Sequence, residues 1–280
     1  MKPFLFIHGV TLRFGGVAAV DNLDIQVQRA SWCGLIGPNG AGKTTIFNLL
    51  SGVYRPTSGE ILLDDERIDD VPRVNRVVHG IGRTFQNLRV MQHLTVLENV
   101  MVGQHCHVGA LRRFVVPLSS RFARAQRDDA METLARLGLQ ADAHRLATGL
   151  PYGVKKRIEI ARALVTRPRL LLLDEPAAGL NTTERDDLRQ ALKVSVPDDV
   201  TVLIVEHDVE FIGALCDHAV ALNFGRKIAG GRPADVCRHP DVVEAYLGRD
   251  EDADAVTSDS LAVHEASTTH VPGGERVHAA

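Results

Sequence analysis

Residues 37–45 of the chain read Gly37-Pro38-Asn39-Gly40-Ala41-Gly42-Lys43-Thr44-Thr45. They match the phosphate-binding loop pattern G-x-x-x-x-G-K-S/T at every fixed position. Residues 32–36 predict a short buried strand before the loop, and residues 44–50 predict the start of a helix that Gly52 closes. Because strand, glycine loop and helix N-terminus surround one concavity with backbone N–H groups, the stretch is predicted to bind a polyphosphate anion.

The side chains of the loop suit the same ligand. Lys43 supplies a point charge for the outer phosphates, and the Thr44 hydroxyl is placed to bind Mg²⁺. Glycines are needed because the backbone must approach the phosphates closely and turn with unusual φ and ψ angles. A glycine-rich turn that merely precedes a helix is the alternative, and the motifs further along the chain argue against it.

Composition sets limits on the class of protein. The chain has 280 residues, 45% hydrophobic and 24% charged, as an ordinary globular protein has. Its net charge of −3 gives no general attraction to nucleic acid or anionic membrane. The four cysteines form no C-x-x-C pair, which favours a reduced cytosolic protein. No apolar run approaches the roughly 20 residues that span a bilayer, so any membrane-spanning partner is expected to be another chain.

The rest of the chain predicts an α/β protein. Alternating residues at 4–12 and 23–28 predict strands with one buried face. The continuous apolar runs at 170–174 and 201–205 predict parallel strands buried on both faces. Helical spacing of apolar residues predicts helices at about 126–138 and 153–164. The order is antiparallel strands first, then an α/β core that a helical insert divides.

Polar residues directly follow the two apolar strands. Asp174 could hold Mg²⁺, and Glu175 could act as a general base toward water. His207 follows the second strand and, because parallel strands open on one edge, could face the same crevice and contact a γ-phosphate. Gln86 could contact the metal or its water, and Phe14 could stack on adenine. Each of these residues, taken alone, also has a purely structural interpretation. The two acids could simply end a strand, the histidine could be a structural one, the glutamine could be an ordinary surface residue, and the phenylalanine could belong to the core.

Together these motifs resemble those of the nucleotide-binding subunits of ABC transporters, over about residues 4–248. The fold class this implies is an α/β P-loop NTPase cassette with a mostly parallel core sheet, an antiparallel β subdomain and a helical insert at about residues 87–165. Residues 249–280 hold few large apolar groups, and their composition predicts a disordered tail.

The resemblance also implies roles for individual residues. Phe14 corresponds to the adenine-stacking aromatic, Gln86 to the Q-loop and His207 to the switch histidine. Residues 37–45 correspond to Walker A, residues 170–175 to Walker B with its catalytic glutamate, and residues 178–181 to the D-loop. The implied ligands are ATP and Mg²⁺, with the metal held by Thr44, Gln86 and Asp174.

The signature segment departs from the family pattern L-S-G-G-Q. In the family, this segment of one subunit closes over the γ-phosphate held by the other. Here Pro151 replaces the serine, Tyr152 the first glycine and Val154 the glutamine, so a hydroxyl donor and one backbone N–H are lost. Tyr152 and Gly153 are expected to face the partner's nucleotide, and closure is expected to be weaker or slower.

The subtype that the chain resembles is a cassette of importers for branched-chain amino acids, or for urea and short amides. The features that carry this resemblance are residues 176–181, the Tyr-Gly signature, the long insert and residues 239–248. The expected partners are a second cassette, transmembrane permease chains and, indirectly, an extracytoplasmic solute-binding protein, at the cytoplasmic face of the membrane. Two other readings stay open: a soluble ABC ATPase acting on nucleic acid or ribosomes, and a non-catalytic binding module. The arginine-rich stretch at 112–127 is followed directly by Asp128 and Asp129, which favours a solvated face, so no nucleic-acid partner is expected.

Overall fold

A computed structural model describes residues 2–84, 88–107 and 121–247 of the chain, and the structural statements below concern those residues. Gln86 and the predicted tail at 249–280 lie outside them. The strands are β1 (Leu5–Phe14), β2 (Val17–Val27), β3 (Trp32–Ile36), β4 (Ser58–Leu63), β5 (Glu66–Arg67), β6 (Ile81–Arg83), β7 (Leu170–Asp174), β8 (Thr201–Val205), β9 (His218–Asn223) and β10 (Arg226–Gly231).

Helices lie in the connections between these strands and after β10. They are α1 (Lys43–Leu50), α2 (Arg73–Arg76), α3 (Val96–Gly103), α4 (Arg121–Arg136), α5 (Tyr152–Leu164), α6 (Thr182–Ser195), α7 (Val209–Leu215), α8 (Pro233–Cys237) and α9 (residues 240–247). Helices α3, α4 and α5 lie between β6 and β7, where the helical insert is predicted. No helix in the described part of the chain is both long enough and apolar enough to cross a membrane.

The strands form two sheets. The first has the order β2-β1-β4-β5 and is antiparallel throughout. The second has the order β10-β9-β3-β8-β7-β6, in which neighbours from β9 to β6 are parallel and only β10 is antiparallel. The predicted fold class, with a mostly parallel core sheet and an antiparallel β subdomain, is therefore confirmed.

Strand β7 shows why the core sheet is covered on both faces. Leu171 and Leu173 belong to the hydrophobic cluster that packs against helices α3 to α6. Leu170 and Leu172 belong to a second cluster, which includes α1 and the inner face of the antiparallel sheet. Because alternate side chains of a strand point to opposite faces, a run of four leucines fills both clusters at once.

The loops at the carboxyl ends of the parallel strands meet at one edge of the core sheet. Asp174 at the end of β7 lies beside Val205 at the end of β8, in register. Strand β3 lies on the other side of β8 and leads into the phosphate-binding loop. This strand order brings together the phosphate-binding loop, the acids after β7 and the histidine after β8.

Candidate functional site

The phosphate-binding loop has a backbone that only glycine accommodates at two positions. Gly37 has φ 147° and Gly42, the N-cap of α1, has φ 101°. A Cβ atom on Gly37 would lie 2.3 Å from the carbonyl oxygen of Leu222, and one on Gly42 would lie 2.8 Å from that of Ala19. The loop therefore passes directly against neighbouring backbone, which explains the glycines independently of any ligand.

Lys43 lies over the loop. Its ammonium group donates to the carbonyl oxygens of Gly37 at 2.6 Å and Pro38 at 3.0 Å, and the residue is buried. The side chain thus holds its charge above the N-terminus of α1, where the helix dipole and the N–H groups also favour an anion.

A cavity of about 420 Å³ opens beside the loop. The predicted residues that line it are Asn39, Gly40, Gly42, Lys43, Thr44, Thr45 and Glu175. Residues 17–19 and Phe224 also line it, and sequence reasoning missed them. A larger cavity, about 560 Å³, lies at the amino ends of β7 and β8 among paired arginines and acids, and none of the predicted site residues lines it.

The aromatic residue predicted to stack on adenine is not the one that lines the cavity. Phe14 packs edge-on against Tyr54, with ring centroids 5.1 Å apart, and is not among the described residues that line the cavity. Phe224, in the turn between β9 and β10, is 76% exposed at the rim. The sequence does not indicate Phe224, because no pattern around residue 224 predicts that the β9–β10 turn reaches this cavity.

Asp174 is buried at the end of β7. Its Oδ2 accepts from Nη2 of Arg83 at 2.9 Å, and its backbone N–H donates to the Thr84 hydroxyl at 3.1 Å. Its Oδ1 is buried and has no hydrogen-bond partner among the residues that the structure describes. Burial raises the pKa of Asp174, while the Arg83 guanidinium opposes that rise.

Arg83 is the residue that orients this carboxylate. Its guanidinium also donates to Oδ1 of Asn48, on α1, at 2.8 Å and to the hydroxyl of Ser51, the C-cap of α1, at 2.6 Å. The arginine therefore ties the helix after the phosphate loop to the end of β7. Sequence reasoning did not select Arg83, since a single arginine after a three-residue strand has no distinctive pattern.

Glu175 meets His207 where β7 and β8 end. Oε1 of Glu175 lies 3.1 Å from Nε2 of His207. Glu175 has φ 47°, which is unusual for a residue other than glycine. The structure thus brings Glu175, His207 and the phosphate-binding loop to one edge of the sheet, as the strand order requires.

Two buried charged residues surround the same segment and were also missed. Nζ of Lys156 donates to the Glu175 carbonyl at 3.0 Å, and Oε1 of Glu206 accepts from the Ala177 N–H at 2.6 Å. Burial is the main cause that raises the pKa of Glu206 to about 7. Burial likewise lowers the pKa of Lys156, against the attraction of nearby carboxylates.

The signature segment lies apart from the cavity. Pro151 is the N-cap of α5, one position before the helix, and its side chain makes no capping bond. Tyr152 is 43% exposed, while Gly153 behind it is buried. Neither residue lines the cavity beside the phosphate loop.

Comparisons with known proteins agree with this architecture. Residues 20–178 match the family model described as ABC transporter, and residues 226–252 match the one described as branched-chain amino acid ATP-binding cassette transporter. The structure of the ADP conformation of MJ1267, an ATP-binding cassette of an ABC transporter, is similar with a TM-score of 0.77 and 29% identity, covering 89% of this chain and 100% of that one.

Curated relatives are similar along nearly their whole length. The high-affinity branched-chain amino acid transport ATP-binding protein BraF of Pseudomonas aeruginosa is 43% identical over 251 residues, which are 88% of this chain and 98% of BraF. LivG of Escherichia coli K12, described in the same words, is 40% identical with the same coverage. The chain belongs to the ABC transporter family, among its ATP-hydrolysing cassettes.

Proposed function

We propose that this chain is the ATP-hydrolysing motor subunit of an importer for branched-chain amino acids. One observation carries the ATPase part: a single cavity is lined by Lys43, by the glycine loop and by Glu175, whose carboxylate contacts His207. The cargo is inferred from BraF and LivG, which are named for branched-chain amino acid transport, and from the match at residues 226–252.

The cavity suggests how ATP is held. The backbone N–H groups of residues 39–45, the Lys43 ammonium and Thr45 bind the phosphates, with the dipole of α1 adding positive potential. Lys43 exchanges its bonds to the loop carbonyls for bonds to phosphate oxygens. Phe14 stacks on adenine as the family resemblance implies, and Phe224 at the rim offers a second apolar surface.

The residues present fit a magnesium ion. The buried Oδ1 of Asp174 lacks a partner in the described part of the chain, so an oxygen ligand is available there. Carboxylate and hydroxyl oxygens suit Mg²⁺, and the Thr44 hydroxyl lines the cavity. We assign Thr44, Asp174 and Gln86 to the metal, directly or through water. When bound, Mg²⁺ supplies charge neutralisation at the β- and γ-phosphate oxygens.

Hydrolysis then needs an activated water. The Glu175 carboxylate takes a proton from water while the water oxygen bonds to the γ-phosphorus. The bond from that phosphorus to the bridging oxygen breaks, which gives ADP and inorganic phosphate. His207 orients the Glu175 carboxylate and contacts the γ-phosphate. Tyr152 and Gly153, which lie outside this chain's own cavity, close over the nucleotide of a second cassette.

In the cell, this cycle would drive permease chains at the cytoplasmic face of the membrane. The second cassette is identical or a paralogue, and the solute-binding protein acts through the permease. ATP binding closes the cassette pair and hydrolysis reopens it.

The test uses the complex assembled with its permease chains and solute-binding protein in lipid vesicles. Glu175→Gln should lower ATP turnover by about 10²-fold or more, because a general base contributes that much. The exposed Glu132→Gln serves as the control for the same chemical change. Leucine, isoleucine or valine should stimulate the parent complex. Stimulation by urea or short amides instead would reject the assigned cargo, and full turnover by Glu175→Gln would reject the assigned base.

A further inference from the structure

The backbone directly after β7 is held from two sides by buried charged side chains. Lys156, on α5, donates to the carbonyl oxygen of Glu175 at 3.0 Å. Glu206, after β8, accepts from the N–H of Ala177 at 2.6 Å. Two side chains from different elements thus bind peptide groups on either side of the Glu175–Ala177 turn.

Glu206 also reaches the second residue of the site. Its other carboxylate oxygen accepts from the backbone N–H of His207 at 3.3 Å. One carboxylate therefore bridges the chain after Glu175 and the chain at His207, the two residues whose side chains meet at 3.1 Å. Lys156 and Glu206 are each 3% exposed, so neither bond competes with bulk water.

The conformation of Glu175 explains why such support is needed. Its φ of 47° lies in the left-handed region, which a residue with a Cβ atom rarely adopts. Backbone of this kind persists where the surrounding contacts fix it. Its N–H donates to the Val205 carbonyl, and its own carbonyl accepts from both Lys156 and the Ala178 N–H.

We propose that Lys156 and Glu206 are positioning residues for ATP hydrolysis, which fix the turn after β7 so that the Glu175 carboxylate stays on the His207 imidazole. The assignment rests on the proposed ATPase function. Lys156 lies on α5, three residues after Gly153.

Kinetics of the assembled complex test this assignment. Glu206→Gln and Lys156→Met should each lower kcat by about 10- to 100-fold, because small misplacements of a reacting group have effects of this size. The KM for ATP and the Kd for ATP should stay within about twofold, since neither residue lines the cavity. Lys156→Arg keeps a cationic donor and should recover much of the kcat that Lys156→Met loses.

Asp69→Asn is the matched control. Asp69, in the turn after β5, is a buried carboxylate that accepts from the Ile61 N–H on β4 at 3.1 Å and from Arg67 on β5. Its replacement makes the same chemical change and should leave kcat and KM at the parent's values. A fall in kcat for Asp69→Asn equal to that for Glu206→Gln would mean general destabilisation and would overturn the assignment.

A spectroscopic readout separates this proposal from the ATPase proposal. With ¹⁵N-labelled histidine, the ring resonances of His207, assigned through His207→Gln, should move in Lys156→Met and Glu206→Gln but not in Asp69→Asn. This measurement needs no turnover, so an inactive parent would reject the proposed function while the positioning result stands.

Unchanged His207 resonances with unchanged kcat, or a Kd for ATP that rises in step with the loss of kcat, would overturn the positioning role. If Glu206→Gln does not fold, the Lys156→Met and Lys156→Arg pair decides by the same criteria.

Discussion

The hydroxyl oxygen of Tyr246 accepts a hydrogen bond from the backbone N–H of Gly37 at 2.9 Å. Gly37 begins the phosphate-binding loop, and Tyr246 lies on α9, near the end of the described chain. Residue 246 also falls within the segment that matches the branched-chain family model. Helix α9 therefore contacts the phosphate site directly, and it fixes the first amide of the loop.

Removing this hydroxyl should weaken nucleotide binding. In Tyr246→Phe the ring still packs, but the Gly37 N–H loses its acceptor, and one such bond is worth about 0.5–1.5 kcal/mol. The Kd for ATP with Mg²⁺, measured by calorimetry, should rise about 2- to 10-fold. Tyr54→Phe, which keeps its ring against Phe14, is the control. A Kd equal to the parent's would show that the bond does not organise the loop.

Pro151 offers a second prediction, at the N-cap of α5. A serine there can accept from the N–H groups of the first turn, whereas proline and alanine cannot, so Pro151→Ser should be about 1 kcal/mol more stable than Pro151→Ala. The serine hydroxyl is also the donor that the family signature has. We therefore expect Pro151→Ser to raise the ATPase turnover of the assembled complex above that of the parent.

Comparison of the two substitutions separates these effects. Thermal unfolding gives the capping contribution, because both variants lose the proline equally. Turnover of the complex gives the contribution of the hydroxyl to closure. Equal turnover in Pro151→Ser and Pro151→Ala, or a loss in both, would contradict the view that the proline slows closure.

Sequence patterns predicted the core strands well and the surrounding strands less well. Strands β3, β7 and β8 have the predicted bounds, because each is a continuous apolar run ended by a glycine or an acid. Strand β2 begins at Val17, six residues before the predicted start at Leu23. Its first residues pair with β1 through register shifts, so their burial does not alternate strictly and periodicity does not reveal them.

The residues of the candidate site also fall into two groups, those that a local sequence pattern indicates and those that it does not. The loop, Asp174, Glu175 and His207 carry local signals, since each follows an apolar strand. Arg83, Lys156 and Tyr246 carry none, because their partners are distant in sequence. Glu206 does follow an apolar strand, but the pattern does not show that its carboxylate reaches Ala177. Lys156 and Glu175 are 19 residues apart, and Tyr246 and Gly37 are 209 apart. Only the three-dimensional strand order reveals such contacts.

Two glycines with different surroundings should respond oppositely to alanine. Gly42 has φ 101°, and a Cβ atom there would lie 2.8 Å from the Ala19 carbonyl oxygen, so Gly42→Ala should destabilise the fold by roughly 1–3 kcal/mol. Gly213 lies within α7 with nothing within 4 Å of its Cβ position. Gly213→Ala should therefore stabilise the chain by roughly 0.5–1 kcal/mol.

Denaturant unfolding of both variants and the parent measures these changes. Gly213→Ala controls for the added methyl group, because it makes the same substitution where backbone and space permit it. Equal free energies of unfolding for Gly42→Ala and the parent would contradict the close backbone approach at the phosphate loop.

The last prediction concerns pH and the buried carboxyl of Glu206. Burial raises its pKa to about 7 from an ordinary value of 4.5, against the N–H groups of Ala177 and His207 that favour the charged form. Between these two values the folded chain holds a proton that the unfolded chain releases. The free energy of unfolding should therefore fall as pH rises through this window, by up to ~3 kcal/mol from this group alone.

Glu206→Gln cannot ionise, so this loss should disappear. Urea unfolding at about pH 5 and about pH 8 should show the variant gaining stability relative to the parent as pH rises. Asp69→Asn is again the control, since hydrogen bonds hold the pKa of Asp69 below its ordinary value of 3.8 and its contribution is constant over that range. If the difference between parent and Glu206→Gln is the same at both pH values, the folded-state pKa of Glu206 is not raised.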